Sequence, residues 1–188
     1  MKFHYKGKYN SPEELPYHEE VPGAVQFKEV KDLKALSTRA NTIAIILLVV
    51  TLGLIYLRAG RISFGIGMFA AYVVFLVVHE FLHAVWYKGD VYMFQNLRNG
   101  LLFVIGTEDF SKGRFILKSL FPSLVLGVIP FIAFMINPEL GGLGTFGALN
   151  IASAAGDYYN VYNTITQVPK GGKVYLSGLE TYWFMPEQ

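Results

Sequence analysis

The chain has no cysteine, which excludes disulfides, thiolate metal ligands and cysteine nucleophiles; any metal must be held by nitrogen and oxygen. Excess charge is also scarce. Sixteen Lys and Arg against fourteen Asp and Glu leave a net +2, too little to suggest a nucleic-acid partner. The first forty residues lack a short apolar region with a small-residue cleavage site. No removable signal peptide is therefore expected, and the first apolar run should stay in the mature protein. Internal repeats and low-complexity tracts are absent as well.

What the chain does have is apolar residues in long blocks, 53% of 188 in all. Several uninterrupted apolar runs cannot share one small soluble core, so the composition points to a multi-pass membrane protein. The expected fold class is all-α, with four transmembrane helices at about 41–57, 64–87, 115–136 and 142–165. Residues 1–40 then form a cytoplasmic N-terminal segment, 41–165 the membrane domain and 166–188 a cytoplasmic tail. Seven Lys and Arg precede the first span and four lie between the second and third (Lys88, Arg98, Lys112, Arg114). Lys170 and Lys173 follow the fourth, only Arg58 and Arg61 fall in the first short connection, and Lys118 can snorkel from the third span. The positive-inside rule places both termini in the cytoplasm, with the inner membrane as the expected location.

Ahead of the first span, Phe27, Val30, Leu33 and Leu36 recur every three residues among basic ones, a spacing open to a surface-lying helix or a solvated linker. Upstream, three prolines in 10–23 predict mostly extended chain with one turn capped by Ser11 and Glu14. Between the second and third spans, aromatic and β-branched residues flank Asn99-Gly100, predicting a cytoplasmic-side β-hairpin over about 90–107. Its edge is open to two readings, covered by the N-terminal segment or paired with an extended substrate.

The second span carries "VVHEFLHAVWY", the pattern H-E-x-x-H. On a helix, His79 and His83 lie one above the other and can share one cation through their ring nitrogens. Glu80 is turned about 100° away, where it can take a proton from water instead of coordinating. Ionisable groups inside a membrane are costly and usually functional. Catalytic zinc needs a third protein ligand, and Asp157, Glu108, Asp109, Asp90, Glu139, His4 and His18 are the candidates. Asp157 stands out because it lies fifteen residues past Gly142, as His79 lies fifteen past Phe64, so parallel spans bring them to one depth. Asn150, Ser153, Asp157 and Asn160 make a polar stripe on that span, with Asn150 and Asn160 candidates for substrate or oxyanion contacts or for interhelical hydrogen bonding. Gly144, Ala148, Ala152 and Gly156 make a small-residue ladder suited to close packing. Pro122 and Pro130 predict kinks in the third span, and Tyr72 lies two turns before His79 on the metal face.

"HEFLHAVWY" in the second of four spans and "NIASAAGDYYN" in the fourth resemble the small bacterial membrane proteins grouped as "putative zincin peptidases". The likeness extends to "VPGAVQFKE" and "VPKGGKVYLSGLETYWF". It implies a metallopeptidase with Zn2+ on His79, His83 and Asp157 and with Glu80 as catalytic base. The layout is more distantly similar to site-2 protease-type intramembrane metalloproteases, which pair an HExxH helix with a later aspartate in an Asn-Pro-Asp-Gly context. Here Gly156-Asp157 is followed by Tyr158 and no Asn-Pro precedes it. The leading expectation is an intramembrane or membrane-proximal zinc protease acting on peptide or membrane-protein substrates near the cytoplasmic face. The alternatives are a non-hydrolytic zinc sensor or transport component, and a scaffold that keeps the motif without activity.

Overall fold

The structure, a computed structural model, describes residues 1–30, 32–96 and 101–186. Asp32 accepts a hydrogen bond from the Ala35 N–H at 2.8 Å and so starts helix α1 (Leu33–Ala59). No proline or glycine interrupts that helix before Gly53, and it ends at Gly60, whose φ of +68° suits glycine as a helix stop. The segment ahead of the first span therefore does not form a separate surface helix. Leu36 belongs to α1, while Phe27 is buried in the protein core. The turn at Pro12–Glu14 forms without a capping bond from the Ser11 side chain, which meets Glu13 instead; the Glu14 carboxylate accepts from Asn10 N and Nδ2.

Helix α2 (Ile66–Ala84) follows, and then α3 (Lys112–Pro122), a π-helical turn (Ser123–Val128) and α4 (Ile129–Ile136) run on as one helical stretch. Pro122 and Pro130 bracket the π turn, since neither can donate the helical hydrogen bond to the residue four before it. Three stretches are long and apolar enough to cross a membrane, namely Lys34–Ala59, Ile66–Ala84 and Lys112–Ile136. Along α1, Ile45, Ile46, Val49, Val50, Leu54 and Leu57 stay exposed, a surface that suits lipid and not water. The stretch expected as a fourth continuous span is divided at Ala154 into α5 (Gly141–Ser153) and α6 (Ala155–Gln167), thirteen residues each. Neither piece alone is long enough to span.

In α5, Gly144 packs against the Phe134 ring and Gly147 against the backbone of the third stretch. A Cβ on Gly147 would sit 2.7 Å from Gly127 O and Phe131 N. Ala148 is buried in this seam, whereas a Cβ on Gly156 would meet nothing within 4 Å. The close approach thus belongs to the first half of the small-residue ladder.

The fold is not all-α. Strand β1 (Lys2–Lys8) pairs in parallel with β3 (Asp90–Asn96), and β3 pairs antiparallel with β4 (Leu101–Ile105), giving the order β1-β3-β4. The turn residues Asn99-Gly100 lie outside the described residues. A second sheet has the order β2-β7-β6-β5, built from β2 (Val25–Gln26), β5 (Phe110–Ser111), β6 (Lys173–Ser177) and β7 (Glu180–Phe184). Apart from the two-residue β5, the strands missed by hydropathy lie in the two terminal segments, where tertiary pairing rather than local pattern decides strand formation. Phe27, Ala84, Tyr87, Val91, Phe110, Phe115, Val168 and Val174 form one core where the two sheets meet the ends of α2, α3 and α6. That core fixes the last turn of α2.

Candidate metal centre

His79 and His83 lie on the last two turns of α2, both buried, with ring centroids 4.9 Å apart. The break at Ala154 leaves Asp157 in the first turn of α6. His79 Nε2 is 3.1 Å from Asp157 Oδ2 and His83 Nε2 is 3.1 Å from Asp157 Oδ1. One carboxylate thus meets both imidazoles, although the helix expected to carry it is broken three residues before it. Glu80 is buried beside them, with a carboxylate oxygen and the histidine nitrogens all within 4.8 Å of one another. Proximity alone would admit either Glu80 or Asp157 as a third ligand. Asp157 is the better candidate because it contacts both Nε2 atoms directly, whereas Glu80 accepts a hydrogen bond from the backbone amide of Val104 on β4.

The donor set fits zinc. His83 Nδ1 donates to the carbonyl of Lys118 at 2.8 Å, so a neutral His83 directs its Nε2 lone pair at a carboxylate oxygen. Two electron-rich atoms 3.1 Å apart need a proton or a metal ion between them. Ligand atoms about 2.0–2.1 Å from a tetrahedral zinc stand roughly 3.3 Å apart, close to the spacing seen here. Two nitrogens, a carboxylate and no thiolate match a catalytic zinc that keeps a position open.

The Lys118 carbonyl is free for His83 for a reason written in the chain. In a regular helix it would accept from the N–H of residue 122, but that residue is Pro122. The proline therefore does more than kink the span: it leaves an acceptor that fixes the His83 tautomer. The Lys118 side chain does not snorkel outward. It is 6% exposed, donates to the Tyr87 hydroxyl at 3.0 Å, and lies 4.7–5.0 Å from the ring centres of Phe115, Tyr87 and Phe110. Hydropathy could not see this cage; what Pro122, four residues after Lys118, could signal was the freed carbonyl.

The rest of the polar stripe does not stay together. Asn150 is 0% exposed; its amide donates to Phe146 O, while Oδ1 has no protein partner among the described residues. Ser153 is exposed, donates to Asn150 O and meets the Tyr72 hydroxyl. Asn160 is half-buried and its backbone carbonyl accepts from Thr164. Tyr158, next to Asp157, shares a short hydrogen bond with Ser123 of the π turn. Of the other candidate ligands, His4 pairs with Asp90, His18 with Asp109 and Glu108 with Arg114, while Glu139 sits in the turn after α4. None of them joins the histidine pair.

Residues 72–172 match the model of a family described as "Putative zincin peptidase", more than half the chain. The chain belongs to that family. The match begins in α2 ahead of the histidines and ends just before β6, so it encloses the whole His79–His83–Asp157 cluster. No curated protein and no solved structure matches the chain. The His83–Lys118 bond and the Val104–Glu80 contact brace the His83 and Glu80 side chains from outside the cluster.

Proposed function

We propose that the protein is a zinc metallopeptidase that hydrolyses peptide bonds of membrane-associated substrates at the cytoplasmic side of a bacterial inner membrane. The observation that carries this reading is the convergence of both histidine Nε2 atoms on one carboxylate beside a buried glutamate. His79, His83 and Asp157 would hold the ion. A zinc held there supplies the Lewis acid that activates water and a peptide carbonyl. Glu80 removes the proton from the attacking water and delivers it to the leaving amine, and the Val104 amide keeps its carboxylate oriented meanwhile.

Sheet pairing supports four crossings. The N-terminal β1 and β2, the β3 to β5 region after α2, and the C-terminal β6 and β7 all pair with one another. Segments paired in this way belong on one side of the membrane, which favours an even number of crossings. Three long helices give an odd number, so this reading assigns the return to α5 and α6 together. The lysines and arginines of these same segments favour the cytoplasm.

β4 is an edge strand of its sheet and its Val104 amide reaches Glu80, which supports an extended substrate adding to that edge. Such a strand exposes its scissile carbonyl, as a helix does not. Asn160, half-buried on the Asp157 helix, is a possible substrate contact within this reading; the enclosed Asn150 suits interhelical hydrogen bonding better.

The test is metal dependence of cleavage. Purified protein should carry one zinc per chain and lose peptide hydrolysis on chelation, with recovery on adding zinc. Membrane proteomes of cells expressing wild type and His79→Ala should differ in processed substrates. Bound zinc without any processed substrate would favour the sensor or transport component, and absence of zinc the inactive scaffold. Pro122→Ala should return an N–H that competes for the Lys118 carbonyl. A roughly tenfold or greater weakening of zinc affinity is expected, read by competition with a chromogenic chelator.

A further inference from the structure

We infer that β1 is a membrane-surface anchor that binds anionic lipid and holds the small sheet against the bilayer beside α2. The inference rests on the membrane-spanning reading above. Lys2 N donates to Gly89 O, so the strand starts where the chain leaves α2. Its register pairs Phe3 with Val91 and Tyr5 with Met93, both core residues, so Phe3 and Tyr5 share the inward face of the sheet. They nevertheless remain 37% and 60% exposed, while Val91 and Met93 beside them are covered. The Phe3 ring lies 5.9 Å from that of Phe81. Phe81 belongs to the exposed apolar strip Val74, Val77, Phe81 and Val85, so the surface facing lipid on α2 continues onto β1.

The charges complete the pattern. Lys2, Lys6 and Lys8 are all exposed. Lys6 is the extra residue of a β-bulge between Tyr5 and Gly7, where Gly7 takes a φ of +79°. Its ammonium lies 5.4 Å from the Tyr92 ring centre. Asp90 faces this strand but accepts from His4 Nε2 at 2.8 Å, and that hydrogen bond holds its carboxyl below the usual range. Aromatic rings at the headgroup level flanked by lysines are what an anionic interface binds. A second chain is a poor occupant, since a bulge and lysines blunt an edge against strand pairing.

The cysteine-free chain permits single-site labelling. Tyr5→Cys, Ile46→Cys and Glu13→Cys, each with an environment-sensitive fluorophore, would be reconstituted into vesicles of phosphatidylcholine with or without phosphatidylglycerol. Quenching by spin-labelled lipid and by aqueous iodide is then compared. The label at Tyr5 should be quenched by lipid several-fold more strongly in anionic vesicles. Lys2, Lys6 and Lys8→Gln should remove that difference, at roughly fivefold in partitioning per lysine at low salt. The inference is overturned if the label at Tyr5 is as open to iodide as the one at Glu13, or if lipid quenching ignores both phosphatidylglycerol and the lysines. A label at Ile46 that also escapes lipid would sink the membrane reading itself; one that is quenched while Tyr5 is not would sink the anchor alone.

Discussion

Glu80→Gln is expected to keep its zinc and lose peptide hydrolysis by about 10²- to 10⁴-fold, the range of a positioned general base. The side chain keeps its size, and its amide oxygen can still accept from the Val104 N–H, so β4 and α2 should hold their places. What vanishes is the capacity to take a proton from water. A zinc sensor would be indifferent to this change, because His79, His83 and Asp157 are untouched. Metal content by mass spectrometry and turnover of a fluorogenic peptide, taken on the same preparation, separate the two cases. Unaltered turnover with bound zinc would end the assignment of Glu80 as base.

Asp157→Ala should lower zinc affinity more than 100-fold, beyond the 10- to 100-fold typical of outer contacts. The carboxylate meets both imidazoles at 3.1 Å, so on the proposed reading its removal takes away one of three ligands and the group that opposes the charge of the ion. Glu139→Ala is the matched control, for Glu139 sits in the turn between α4 and α5, away from the cluster. Zinc stoichiometry after gel filtration in detergent should fall for Asp157→Ala and stay near one for Glu139→Ala. Equal loss in both, or retention in both, would count against the shared depth of α2 and α6.

Much of the centre was legible before any coordinates. His79, Glu80 and His83 announce themselves because helical periodicity maps a spacing of four onto one face. The meeting of Asp157 with the histidines was suggested by counting residues along two helical stretches, but the break at Ala154 that places it in a first turn was not in that count. Pro122 could have been read the same way, as a missing donor for the Lys118 carbonyl. The cage around Lys118 could not, because Tyr87, Phe110 and Phe115 come from three different segments.

The apolar blocks alone made this a membrane-type chain, because a run of that length and polarity has no better solvent than lipid. The motif alone made it a candidate zinc site, because ligand chemistry and helical pitch are local properties. Only the tertiary structure decided that the terminal segments are strands, since β pairing draws its hydrogen bonds from residues distant in sequence. It also broke the fourth helical stretch at Ala154, put Asn150 inside the bundle and left Asp157 between two histidines. Which side of a helix meets which neighbour depends on packing among all of them, and no periodicity along one segment contains it.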